Sequence, residues 1–135
     1  MDRSTQRPLE LILARNLLAT LSTAASLINR AGDIVFYNDA AGALLGRRFE
    51  ERGPMSSEEW VAAFGPFDQD GKPIPIGEQP ITVALRDGRP AHARHRIRSF
   101  GGGEHTVEVS GVPVIGADGF QGAMVFFWPA QEPAP

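Results

Sequence analysis

The sequence contains no cysteine. Disulfides, thiolate catalysis and Cys-ligated zinc or iron–sulfur centres are excluded on that ground alone. It has no excess of basic charge: 13 Lys and Arg stand against 16 Asp and Glu, a formal net charge of −3. That balance argues against nucleic acid as a main partner. No apolar run approaches the ~20 residues a membrane span needs. The opening residues MDRSTQRPLE lack the long apolar core of a signal peptide. The expectation is a soluble, cytoplasmic chain that does not engage a membrane. Histidine is scarce, with three in all.

What is present suits one domain with one core. The chain has 135 residues, 42% of them apolar and 21% charged, a composition that does not suggest overall disorder. The most informative stretch is Ser26–Gly46, SLINRAGDIVFYNDAAGALLG. Leu27 and Ile28 close one β-rich run, and Asn29–Asp33 makes a turn in which Gly32 can supply a positive φ. Ile34–Tyr37 is β-branched and aromatic, which predicts a second strand. Asn38 stands where a helix must start and can cap it with its side-chain oxygen. Ala40, Ala41, Ala43, Leu44 and Leu45 favour that helix, and Gly46 ends it.

On either side the pattern predicts further elements. Leu9, Leu13 and Leu17, widened by Ile12 and Leu18, predict an amphipathic helix over Pro8–Thr20. Arg47–Pro54 reads as a charged loop. Ser56-Ser57-Glu58-Glu59 is a helix-start signature followed by Trp60, Val61 and Phe64. Gly65–Gly77 is Pro- and Gly-rich and reads as a loop stiffened by Pro73 and Pro75. Glu78–Asp87 predicts a helix with Pro80 in its first turn. Three strands follow, over Ala91–Ser99, Glu104–Val114 and Phe120–Trp128, with Gly111 and Pro113 suggesting a bulge or edge. Both faces of the last strand are apolar, so each needs a cover. Pro129–Pro135 holds three prolines and predicts a disordered tail.

Ser26–Gly46 resembles the opening of a PAS domain. Phe67–Pro75 and Pro80–Pro90 resemble the linker and long helix of bacterial PAS domains, and Val107–Gly122 resembles their last hairpin. The resemblance covers residues 20–128 or so. It implies an α+β fold: a five-stranded antiparallel sheet in order 2-1-5-4-3, with helices on one face and the N-terminal helix near the other. The domain reading is a capping or dimerisation helix over 1–20, the PAS domain over 21–128 and a tail over 129–135. The implied function is sensory, in bacterial signal transduction. A small molecule would bind between sheet and helices, or two copies would pair, and a change would pass to a signalling partner. The sequence holds no kinase, cyclase or other output module and ends without the Asp-Ile-Thr-like exit common in such domains; the expectation is either a stand-alone PAS protein or a piece of a longer one.

The chemistry-bearing residues support little else. His92 and His95 have opposite strand parity and cannot converge on one metal without a bulge. The Glu78–Asp87 helix has no His at the place where the best-known haem sensors of the family carry their ligand. The missing cysteine excludes cysteinyl-flavin and thioester chromophores. A non-covalent, small, hydrophobic ligand stays open. Asp68-Gln69-Asp70-Gly71 resembles the start of a calcium loop but has Gly77 where the required Glu would stand, and reads as a turn. Arg94, Arg96 and Arg98 share one strand face, either as a solvated edge or as a docking patch for an acidic partner; the solvated edge is the simpler reading. His95 shares its face with Ala91, Ala93 and Ile97 and is expected to point inward. Ile81, Leu85, Ala93, His95, Val107 and Phe126 are the expected pocket residues. Leu9, Leu13, Leu17, Val125 and Phe127 are the expected homodimer surface. Two alternatives are a purely structural dimerisation module and a small α+β enzyme pairing His95 with Asp68 or Asp70.

Overall fold

The structure, a computed structural model, describes residues 9–68, 70–74 and 78–130. Among these the chain runs α1 (Leu9–Ala19), β1 (Ala24–Asn29), β2 (Ile34–Tyr37), α2 (Asp39–Leu45), α3 (Phe49–Arg52), α4 (Ser57–Phe64), α5 (Pro80–Asp87), β3 (Ala91–Arg98), β4 (Glu104–Gly116) and β5 (Gly119–Pro129). The strands form one antiparallel sheet in order β2-β1-β5-β4-β3. The α+β class and strand order are therefore the expected ones. The expectations for residues 1–8, 69, 75–77 and 131–135 lie outside the described residues. Pro129 does not belong to a tail: it ends β5, and Ala130 donates to the Thr106 carbonyl at 2.9 Å. No helix among the described residues is long and apolar enough to cross a membrane.

Local sequence accounts for most of the elements. The β1–β2 turn closes with Asn29 Oδ1 accepting from the Asp33 amide at 2.9 Å, and Gly32 takes a φ of 93°. Gly46 ends α2 in the left-handed region, φ 79°, where a side chain would be strained. Ser56 and Glu59 form a reciprocal capping box at the start of α4, with both bonds at 3.1 Å. The short helix α3 falls where a loop was expected. Its cause is Phe49, which is buried edge-on to Phe36 and Tyr37 at 5.5 and 5.4 Å and so fixes one helical turn. Asp68 Oδ1 accepts from the Asp70 and Lys72 amides at 2.9 and 3.0 Å, the bonding of a turn.

Two details of α1 and β4 are open in the sequence pattern. In α1 the buried residues are Leu11, Ala14 and Leu18; Leu9, Leu13 and Leu17, with Ile12, are exposed. The helix carries leucines on two faces, and its C-terminal end decides between them. The Leu18 carbonyl accepts from the buried Asn38 side chain at 2.9 Å, which anchors that end of the helix beside the sheet. In β4 the expected bulge lies between Val114 and Ile115, not at Gly111 or Pro113, whereas the expected edge does fall at Pro113. Gly111 pairs regularly with Ala91 and Val125, and Pro113 lies past the last residue of β4 that pairs with β3.

The sheet separates two layers. Ser26, Val107, Val125 and Phe127 face α4 and α5. Their strand neighbours Leu27 and Met124, paired with each other, face the opposite way with Phe36. On that side α1 covers β1 and β2 and reaches β4 and β5, with the Arg15 guanidinium 4.6 Å from the Phe36 ring centroid. Beyond the helix that side carries Phe126, the partly exposed Trp128 and the charged row of β3 and β4. Glu108 bonds Arg94 Nε at 3.1 Å and lies 2.9 Å from His92 Nε2, while Glu104 lies 2.9 and 3.6 Å from Arg96 and Arg98. Cross-strand pairing thus neutralises the arginine row, as a solvated edge requires. The Phe67 amide caps the β3 edge at the Arg96 carbonyl, 2.8 Å away.

Candidate functional site

Between the sheet and helices α4 and α5 lies a cavity of about 100 Å³. Its position follows from how α5 seats on the sheet. A Cβ at Gly111 would lie 3.3 Å from the Pro80 carbonyl oxygen, so the first turn of α5 rests directly on β4 at that glycine. Farther along, Ile81 and Leu85 face the cavity across from Val107, Val109 and Phe127. Trp60 and Phe64 of α4 add aromatic wall, their rings edge-on at 5.0 Å. Gln79 lines the cavity at the start of α5 and is held by a bond from its Nε2 to the Ile74 carbonyl at 3.0 Å. Among the described residues no Asp, Glu, Lys or Arg lines the cavity.

His95 is the exceptional residue of this wall. It is 9% exposed, and neither Nδ1 nor Nε2 has a hydrogen-bond partner among the described residues. Burial depresses its pKa below the ordinary 6.5, so at neutral pH the ring is an uncharged imidazole with one donor and one acceptor. Asp68 and Asp70 do not pair with it, so the acid–base arrangement an enzyme reading needed is not formed. Among the described residues no group of three or more His, Asp or Glu could hold a metal ion. His92, three residues earlier, points to the opposite side and pairs with Glu108.

Of the six residues expected in a pocket, Ile81, Leu85, His95 and Val107 line the cavity. Ala93 shares their face, opposite Val109, but is not part of the lining. Phe126 is corrected: it lies on the other side of the sheet from Val125 and Phe127. Those two, expected on a dimer surface, are buried and line the cavity instead. The reason is register. His95 pairs with Val107 and Ala93 with Val109, and Val109 pairs with Phe127, so all of these share one face. The apolar alternation of the last strand is symmetric and gives no sign of which face is inner. Ser26, Ile97, Val109 and Gln79 were missed as cavity residues. Strand parity carried through the register would have found the first three.

Asn38 reaches farther than a helix cap. Its Oδ1 accepts from the Ala41 and Ala25 amides, each at 3.0 Å. Its Nδ2 donates to the Leu18 and Thr23 carbonyls at 2.9 and 2.8 Å. One buried amide thus ties α2, β1 and the end of α1 together.

No family model matches the sequence, and no curated protein matches it. Solved structures do. The PAS domain from the fruit-fly ELK potassium channel superposes with a TM-score of 0.67 at 14% identity, over 88% of this chain and 95% of that one. The PAS domain of nitrogen regulation protein NR(II) from Vibrio parahaemolyticus gives 0.62 at 15%, over 87% and 98%. The PAS domain from Bordetella pertussis BvgS gives 0.60 at 13%, over 91% and 87%. At such identities the likeness is one of architecture. The chain has the PAS fold.

Proposed function

We propose that this chain is a sensory module of signal transduction that binds a small molecule in the cavity between sheet and helices. The observation that carries this reading is His95, a buried polar side chain without a partner among the described residues, on an otherwise largely apolar wall. Native structures pair nearly all buried polar atoms, so an orphaned ring beside a cavity favours a ligand that completes it. The likeness to PAS domains of a two-component sensor histidine kinase and of NR(II) supports a signalling context. Native mass spectrometry of the purified full chain tests it. The expected result is a small molecule that copurifies, or one found by screening that raises the melting temperature. A mass equal to that of the bare chain, with no compound shifting the melting curve, refutes the reading.

A second role is favoured by α1. Leu9, Leu13 and Leu17 are 64%, 57% and 52% exposed on one helix face, with Ile12 beside them. Leucines so spaced suit the seam of a helix pair, and the occupant proposed is α1 of a second copy. Val125 and Phe127 take no part in it. Sedimentation is expected to give a homodimer for the full chain and a monomer for Leu13→Glu. A wild-type monomer at micromolar concentration overturns this role and leaves ligand binding untouched.

A further inference from the structure

The cavity constrains its ligand in three independent ways. The first is charge. No carboxylate, ammonium or guanidinium lines it, and burial keeps His95 uncharged at neutral pH. An ion entering here would lose its hydration without gaining a counter-charge, which is costly. The second is size. The volume is about 100 Å³, somewhat below the ~150 Å³ of an apolar protein cavity known to take benzene. That limits the occupant to about one six-membered ring with a small substituent. The third is polarity. Trp60, Phe64, Leu85 and Phe127 offer mainly apolar and ring surface; Ser26, Ser57, Gln79 and Thr82 also reach the wall, but it is the buried imidazole that offers one donor and one acceptor that no described residue uses.

Resting on the ligand-binding reading above, we propose that the cavity selects an uncharged molecule the size of a single ring, carrying one hydroxyl that hydrogen-bonds to His95: a phenol or a cyclic alcohol. The ring packs between α4 and the sheet, where dispersion and apolar burial supply affinity. The hydroxyl supplies orientation, because it is the group that pairs the imidazole. A carboxylate of the same size is refused on charge, and a bare hydrocarbon leaves the imidazole unpaired.

The test titrates the purified full chain with phenol, benzene and benzoate near pH 7.5, followed by calorimetry and by amide NMR shifts at Val107 and Val109. Phenol is expected to bind about tenfold tighter than benzene, the worth of one net hydrogen bond, and benzoate not to bind measurably. His95→Leu is expected to fold and to melt higher than the wild type without ligand, because the unpaired nitrogens are gone. Its phenol affinity should fall to the benzene level. His95→Gln, which keeps a donor and an acceptor, is expected to retain a preference for phenol. A structural role for His95 would instead make His95→Leu less stable. Benzoate binding as well as phenol, phenol binding no better than benzene, or a phenol preference that survives His95→Leu each overturns the inference. If a copurifying molecule is charged or indifferent to His95→Leu, the inference falls while the sensory reading stands. If nothing in the panel binds, the inference falls; the sensory reading falls with it only when, in addition, nothing copurifies and no screened compound shifts the melting curve.

Discussion

The two histidines of β3 sit three residues apart and live on opposite sides of one sheet. His92 is exposed, 2.9 Å from Glu108 and tilted against Trp128 at 5.8 Å. His95 is buried and unpartnered. The same contrast runs through the sheet as a whole. On the outer side the charges of β3 are matched across the strand pair by Glu104 and Glu108, and much of the apolar part is covered by α1, with Trp128 left partly exposed against His92. On the inner side polar groups are few, charge is absent from the cavity wall, and packing is incomplete. The outer side is a satisfied surface. The inner side is left with both a void and an unmade hydrogen bond, each of which lowers stability in the free protein. Where stability is given up in one place while an adjacent face is complete, the defect is a better guide to function than any feature of the completed face.

The largest effect expected comes from breaking the joint between the two sides. Asn38 bonds the Leu18 carbonyl, in the helix on the outer side, and the Ala41 amide, in α2. Asn38→Ala removes four bonds and leaves their backbone partners without this side chain. A loss of about 3–5 kcal/mol is expected in urea unfolding, among the larger single-residue effects. A loss under about 1 kcal/mol would mean that Asn38 only caps α2, which is what an N-cap alone contributes.

Next in size is a comparison within α1. Leu18 is fully buried and Leu13 is 57% exposed. Leu18→Ala should cost about 2–4 kcal/mol. Leu13→Ala should change monomer stability by no more than about 0.5 kcal/mol. Equal losses, measured at a concentration where only monomer is present, would mean that the leucine row packs on its own sheet after all.

That helix shows where sequence reasoning stops. Its existence follows from leucine spacing, but leucines stand on two faces, and the choice between them rests on contacts with distant elements, among them the bond from Asn38 to the Leu18 carbonyl and the Arg15 contact with Phe36. The strand–turn–strand–cap order of Ala24–Leu45 is legible because each signal is local: Asn29 closes its own turn, and Asn38 caps its own helix. The inward direction of His95 is legible from parity, since alanines and Ile97 share its face. Its lack of a partner is not, because a side chain's hydrogen bonds depend on what other elements bring to it. The face of β5 is illegible for a simpler reason. As the central strand it is apolar on both sides, and Val125 and Phe126 look equally suited to a pocket. Phe49, set in a charged run, gave no periodic signal at all.

The two sides should also separate by pH. The folded pKa of His95 is depressed by burial from 6.5, and no Asp, Glu, Lys or Arg faces it from the cavity wall. The unfolded chain therefore takes up this proton first. The contribution is fully present above about 6.5 and is lost as pH falls through the lower folded value. His95→Leu is expected to flatten the stability curve of the ligand-free protein in that window. An unchanged slope would show that the ring is reached by solvent.

The smallest effect belongs to the outer side, in a more acidic window. The hydrogen bond with His92, followed by that from Arg94, holds the Glu108 carboxyl below its ordinary 4.5. This contribution is present above about 4.5 and is lost as pH falls through the folded value. Glu108→Gln should therefore lower stability slightly at neutral pH and make no difference well below pH 4. Because Arg94 and His92 are about half-exposed, the pair is open to screening, and the small deficit should shrink further in high salt. The cavity side should behave differently: its wall carries no ion pair, so the stability gained in His95→Leu should persist at every salt concentration. A gain that fades with salt in step with the Glu108→Gln deficit would mean that His95 belongs to the same charge network as His92, and the division of the sheet into a paired side and an unpaired side would fail.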